Sequence, residues 1–351
     1  DTRITTKIDG SKTNFRGEYK GRNFISPFML SGISVSRGSN SVLDGSGAIA
    51  GSVNFTTKDA EDIKLREDQT FGGELFSSYS TNGYMQNYAG SAFAIKDGLS
   101  LVGMYSFTAN NDFKASEEVP IAYTENKVNN GVIKLKKSFS SEEFIEFYSG
   151  LFQESGESTS NPFRLTNAGD PVNRDLTNIR EAFELNLSFL NLKAFYDKTN
   201  IKEDLIAGER RDTTDFISYG FNVFGKYSYK TKGLNNMFIY GVDFIKDDQS
   251  GERGGGIERA SIFPSGTSKN EGVFLENALE YKRFKMLIGG RLDYYTLESG
   301  RESLSYNSGF LKKASVGYEI TEGLTPFVRY TEGYRAPFLK ETFASGSIVS
   351  V

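Results

Sequence analysis

Lys285-Met286-Leu287-Ile288-Gly289-Gly290-Arg291-Leu292-Asp293-Tyr294 is two-sided by parity. Met286, Ile288, Leu292 and Tyr294 share one face, and Lys285, Arg291 and Asp293 share the other. A period of two places successive side chains on opposite faces of a strand. The pattern extends in both directions along the chain. Phe238, Tyr240, Val242 and Phe244 flank Gly241 and Asp243, while Phe183, Leu185, Leu187 and Phe189 alternate with Glu184, Asn186 and Ser188. These stretches run to roughly 10–15 residues, against about 5–6 for a globular strand.

The connections sort by length. Short turns are expected at Asp97-Gly98, Ser140-Ser141, around Leu190, around Gly233, at Lys282-Arg283 and at Glu322-Gly323. Between them lie longer polar stretches at 109–130, 154–179, 203–212, 249–268 and 299–305, rich in Asn, Ser, Gly, Asp and Glu. Short turns at one end and long loops at the other are the pattern of an outer-membrane barrel. A strand tilted in lipid needs about 9–11 residues in the hydrocarbon, which these stretches supply. No fixed sequence period of the solenoid kind is present. The expected fold is therefore all-β, a transmembrane antiparallel β-barrel. About 13 strands can be counted, whereas single-chain bacterial barrels close with an even number.

Composition agrees with this class and excludes others. The chain has 351 residues, a net charge of -4, 19 Tyr, 29 Phe, 37 Gly and only 7 Pro. Near-balanced charge gives no field for nucleic acid. Mean hydropathy is -0.42, which a barrel tolerates because its lipid face uses every second residue. No run of about 18 apolar residues exists, so a transmembrane helix is excluded. There is no Cys and no His. That removes disulfides, thiolate chemistry, the usual general base and the commonest haem and zinc ligand. No signal peptide opens the chain.

Residues 1–70 have a different character. Apolar stretches at Ile33 to Val35 and Val53 to Phe55 are separated by glycine-rich turns such as Asp44-Gly45-Ser46-Gly47. Three segments carry a family resemblance. One is Asn14-Phe15-Arg16 with Gly21-Arg22 and Phe24-Ile25-Ser26-Pro27. Another runs from Ile33 through Arg37-Gly38 and Leu43-Asp44-Gly45-Ser46-Gly47 to Gly51 and Thr57-Lys58-Asp59-Ala60. The last is Tyr330-Thr331-Glu332-Gly333-Tyr334-Arg335-Ala336-Pro337. Together they resemble TonB-dependent outer-membrane receptors, within them the haem/haemoglobin receptor branch.

The resemblance implies that residues 1–70 are the C-terminal part of a small α+β plug, and residues 71–351 the N-terminal part of a barrel. That barrel is 22-stranded in the intact family. It also implies that the chain is a piece of a longer receptor. The segment that meets TonB would precede Asp1, and about nine strands would follow Val351. Arg37, Gly38, Gly45, Gly47 and Gly51 are expected to be structural, the glycines permitting tight turns in a confined lumen. Arg16, Arg22 and Arg37 suit a polar interior.

Haem receptors commonly place a plug histidine between Asn-Phe-Arg and Gly-Arg; here Tyr19 occupies that position. A tyrosine can ligate ferric haem iron, so Tyr19 is either an axial ligand or an ordinary loop aromatic. Arg335-Ala336-Pro337, expected at the outer end of the last strand, either places a ligand loop and meets a haem propionate or host protein, or ends the strand at a proline. Tyr105, Tyr294 and Tyr295 are expected in an interfacial belt. The Gly251 to Gly256 loop with Arg253 lacks the strand-to-helix context of a phosphate loop. Glu142-Glu143 and Asp247-Asp248 are expected to be solvated loop charges.

The function implied is TonB-driven import of haem, either free or taken from haemoglobin, by an outer-membrane receptor with haem as cargo, no resident cofactor and no catalytic residues. A ferric-siderophore or transferrin/lactoferrin receptor would share the architecture. A passive porin would not carry the 33–60 block. An outer-membrane enzyme would lack the histidine of the common triad.

Overall fold

The computed structural model describes residues 3–13, 24–116, 119–160, 169–258, 263–300 and 302–343. Alternation builds one large antiparallel sheet. Thirteen strands follow one another in a single path from Phe71–Ser80 to Phe327–Thr331, with the two-residue strand Ile257–Glu258 as a side branch. Each strand pairs with its sequence neighbours, as hairpin connections require. Among the described residues, the two end strands do not pair with each other.

The sheet is packed inside out. Ile288, Leu292 and Tyr294 are about half exposed, at 50%, 48% and 49%, whereas Arg291 and Asp293 between them are buried at 1% and 2%. Tyr240, Val242, Val273 and Leu275 extend the exposed apolar face on neighbouring strands. Lys134, Glu146, Arg174, Arg180, Asp197, Glu203, Glu276 and Lys313 are buried on the opposite face. A continuous apolar outer surface over many strands is a lipid-facing wall. Buried charges must be paired, and they are: Arg174 with Glu203 at 2.7 Å, Arg180 with Asp197 at 2.5 Å and Lys313 with Glu276 at 2.8 Å.

The strands are longer than the apolar alternation suggests. Arg211–Thr231 has 21 residues and Leu234–Arg253 has 20. Polar residues at the outer ends keep up the ladder beyond the hydrocarbon, so the expected 203–212 and 249–268 loops are in large part strand. Asp247 and Asp248 therefore lie on a strand, not in a loop; the Asp248 carboxylate accepts from Thr267 Oγ1 at 2.6 Å. At the other end the turns are short. Asp97 and Gly98 have φ of 51° and 74°, the left-handed pair of a two-residue hairpin.

Residues before Phe71 form a second, four-stranded sheet. Its order is Ser11–Lys12, Ile4–Ile8, Gly51–Thr57, Leu30–Arg37, with Ile4–Ile8 parallel to Gly51–Thr57. Two one-turn helices, Ser41–Asp44 and Ala60–Ile63, accompany it. This unit lies against the buried face of the large sheet. Ile8, Ile25, Met29, Ala60 and Ile63 share an apolar cluster with Phe93, Val102, Met104, Val132 and Tyr148 of the wall. Asp59 caps the second helix in a reciprocal capping box with Asp62, and receives both Lys134 and Lys136 from the wall. Those two ammonium groups hold the Asp59 carboxyl below its usual range against the opposing effect of burial.

Candidate functional site

The densest charge constellation sits where the small sheet meets the middle of the wall. Arg291 sends Nη1 and Nη2 to the two oxygens of Asp243 at 2.7 and 2.9 Å, and Nε to Asp293 at 2.9 Å. The guanidinium also lies 5.7 Å from the Phe274 ring. One arginine between two carboxylates in a fork geometry is a strong, orienting contact. Its charge lies beneath Gly45 of the small unit. Gly45 has φ of 70°, and a Cβ there would stand 2.9 Å from Lys12 Nζ and 3.0 Å from Arg291 Nη2. Here glycine is needed both for the turn and for the close approach.

Around this point the small unit brings its own charges. Lys7 pairs with Asp44, which also accepts from Asn40 at 2.8 Å and Ser52 at 2.6 Å. Burial alone would raise the Asp44 carboxyl; the Lys7 ammonium and the three hydrogen bonds outweigh it and hold it at about 2. Lys12 is different. Part of its surface opens onto cavities, but protein surrounds the ammonium, and burial pushes it down to about 8 against the pull of Asp243. The nearby Arg291 charge acts in the same downward direction.

Arg335 and Pro337 are not at the end of a strand. The last strand stops at Thr331, six residues before Pro337, so the proline does not terminate it. The chain leaves the wall and crosses the 39–47 loop of the small unit. Ser39 Oγ donates to Glu332 O at 2.9 Å, Gly47 N to Tyr334 O at 3.1 Å, and Ala336 N to Ser46 Oγ at 3.0 Å. Arg335 pairs with Glu341 at 2.6 Å on the short helix Leu339–Phe343 and lies 5.0 Å from the Phe338 ring. Gly47 thus comes together with Arg335 and Pro337, while Gly45 stands over Lys12 and Arg291. Gly38 and Gly51 are at the ends of small-sheet strands, and Arg37 is exposed on one of them. Tyr19 lies outside the described residues.

Two cavities border the constellation. The larger, about 360 Å³, lies between Lys7, Lys12 and Asp44 of the small unit and Lys193, Phe195, Phe224, Lys226 and Phe274 of the wall. The smaller, about 70 Å³, includes Lys12, Asn270, Tyr295, Arg335 and Pro337. Tyr295 is 5% exposed and its ring lies 5.5 Å from that of Tyr334. It is therefore an interior residue, not a member of a belt. Strand parity already separates it from Tyr294, which is 49% exposed. Tyr105, at 54%, does lie on the outer face. Nothing in the local sequence singles out Lys12, because Asp243 and Arg291 beside it lie on strands more than two hundred residues away.

Comparison with known proteins supplies the family context. The family model for the TonB dependent receptor-like β-barrel matches residues 23–350. A relative from Haemophilus ducreyi named TonB-dependent heme receptor A is 22% identical over 402 residues, covering 97% of this chain and 54% of its own length. The chain thus spans about half the length of that relative. Among solved structures, the FrpB iron transporter of Neisseria meningitidis superposes with a TM-score of 0.81 at 17% identity, over 96% of this chain and 58% of the transporter. A double mutant of the Serratia marcescens hemophore receptor HasR, in complex with its hemophore HasA and heme, gives 0.80 at 18% identity, over 97% and 57%. At these identities the structural likeness is one of fold.

Proposed function

The chain belongs to the TonB-dependent receptor-like β-barrel family, and on that premise we propose that it serves in import of haem iron across a bacterial outer membrane. The observation that carries the reading is the run of relatives named for haem: the heme receptor of Haemophilus ducreyi aligns over 97% of this chain. In this reading residues 1–70 are the C-terminal part of a plug and residues 71–351 wall of the barrel. TonB acts on the plug through a segment preceding Asp1, and haem, or a host protein carrying it, arrives at the loop end.

The chemistry of the interior suits transport rather than turnover. On the wall, buried charges such as Arg291 are held in pairs, here with Asp243 and Asp293. Haem is cargo here, and Tyr19 is its proposed axial ligand on the plug. A phenolate in that position binds ferric iron without histidine. A ferric-siderophore receptor, which would share the architecture, is the second reading.

The test is growth. An iron-starved strain lacking its own haem receptors, supplied with the full-length protein, is expected to grow on haem as sole iron source in a TonB-dependent way. Growth on a ferric siderophore but not on haem would replace the first reading with the second. Tyr19→Phe with an unaltered haem absorption spectrum and undiminished haem-dependent growth would remove Tyr19 as ligand.

A further inference from the structure

The two cavities share Lys12 and Ile245 in their linings. Lys12 therefore stands at the boundary between them. Its ammonium group makes no ion pair or hydrogen bond among the described residues. Three other cations nearby are engaged: Lys7 with Asp44, Lys193 with Glu184 at 2.9 Å, and Arg291 with Asp243 and Asp293.

The smaller cavity has a second feature. Among the described residues the Asn270 side-chain oxygen, on a residue only 7% exposed, has no hydrogen-bond partner, and the Tyr295 hydroxyl, on a residue 5% exposed, has only the Ser46 hydroxyl beside it. Buried polar groups left without partners are costly unless something fills the space. Ser46 Oγ accepts from the Ala336 amide at 3.0 Å and still has one proton to donate toward that space. The volume of about 70 Å³ admits a carboxylate or a few waters. Lys12, Lys269 and Arg335 line that space against the single carboxylate of Asp247, a positive bias that the Arg335–Glu341 pair reduces but does not cancel. The larger cavity adds apolar surface from Phe195, Phe224 and Phe274 beside Lys193 and Lys226. Its volume of about 360 Å³ falls at the lower end of the range for small-molecule sites.

We propose that the two cavities form one tract for an amphipathic carboxylate, with Lys12 at its neck. The carboxylate is received by Tyr295, Arg335 and Lys12 in the small chamber. It then passes along Lys12 to the aromatic and lysine lining of the large one. The identity of that ligand as a porphyrin diacid rests on the haem reading; the anion preference of the tract does not.

The chain has no cysteine, so single thiols can report on each chamber. Ser46→Cys places one in the small chamber and Asn222→Cys one in the large. In the full-length protein in detergent, on a cysteine-free background, a sulfonate-bearing methanethiosulfonate is expected to react faster than an ammonium-bearing one at both positions. Electrostatic focusing sets the scale at about 10-fold or more. Lys12→Met is expected to abolish that preference at both positions, and Lys12→Arg to keep it. No preference, a preference indifferent to Lys12→Met, or an effect at only one position overturns the tract.

The ligand class is tested separately by titrating haem and haem dimethyl ester into the same protein. Tyr295→Phe is expected to weaken haem by about 10-fold, the scale of one lost hydrogen bond to a charged group, and to leave the ester unchanged. Equal weakening of both, or of neither, removes the carboxylate contact. Thiol selectivity that holds in a protein binding neither porphyrin would retain the tract and reject the haem reading.

Discussion

Asp243 and Arg291 are joined by two hydrogen bonds, 2.7 and 2.9 Å, although a whole strand lies between them. The residue opposite Asp243 on that intervening strand is Gly272, and Gly272 is in turn opposite Asp293. The row reads acid, glycine, acid, and the arginine lies across the gap that the glycine leaves. A Cβ on Gly272 would collide with the guanidinium. Arg291→Met in the full-length protein is expected to cost on the order of 3–5 kcal/mol, because two buried carboxylates lose their counter-charge. Gly272→Ala is expected to cost about 1–3 kcal/mol by displacing the same group. Urea midpoints of unfolding in lipid vesicles check both. A midpoint unmoved by Arg291→Met would mean that the row contributes nothing to stability.

Acid should loosen the small unit internally through Asp44, whose partners Lys7, Asn40 and Ser52 all belong to that unit. Its folded-state carboxyl sits at about 2, below the ordinary value of 3.8. A depressed carboxyl contributes stability that is complete above the unfolded value and is lost as pH falls toward the folded one. The window is thus pH 4 down to 2, and the amount roughly 2 kcal/mol. Hydrogen exchange of residues 41–57, corrected for intrinsic rates, should accelerate across that window. Asp44→Asn should show fast exchange at pH 5 already and a flat profile below it.

The outer face should reject charge by parity. Val242 is 45% exposed and its neighbour Asp243 is turned inward. Val242→Arg is expected to destabilise the wall by about 2–4 kcal/mol in lipid if it sits at mid-depth. Val242→Leu should be close to neutral. Equal tolerance of both, measured by folding into vesicles, would contradict a lipid-facing surface.

Asp59 should matter more than its two cations do separately. It caps the Ala60–Ile63 turn and receives both Lys134 and Lys136. Asp59→Ala is expected to lose about 1–2 kcal/mol from the cap alone. Lys136→Met should cost less, because Lys134 still holds the carboxylate. Lys134 itself lies 3.5 Å from Glu146 and keeps that contact. The same vesicle unfolding assay ranks the variants.

The wall was legible because parity is a local property. Arg291 and Asp293 could be assigned a face from ten residues of sequence, and the structure buries them there. Parity also separates Tyr294 from Tyr295, yet expecting both in a belt from aromatic type alone misplaced Tyr295. Strand length was less legible. Apolar alternation fades where lipid ends, but hydrogen-bond pairing continues through polar residues such as Asp247 and Asp248. The interior site was largely hidden. Lys12, Asp243, Tyr295 and Arg335 meet only when the small sheet lies against distant strands, and no short-range spacing encodes that meeting. The path of residues 332–337 was equally hidden, since its hydrogen bonds run to serines and a glycine some 290 residues earlier.

That path has a mechanical consequence. Residues 332–337 are tied at their base to the wall by the Glu332 amide bonded to the Lys312 carbonyl, and along their length to the 39–47 loop. The adjoining helix ends against the loop side, where Lys340 lies 5.7 Å from the Phe263 ring. The segment is a tie-rod with one anchorage outside and one inside. Seven residues of backbone, from Lys340 to Tyr334, join the Phe263 contact to Gly47 by a path that bypasses the ladder of the wall. The same path runs back from the small sheet to that loop.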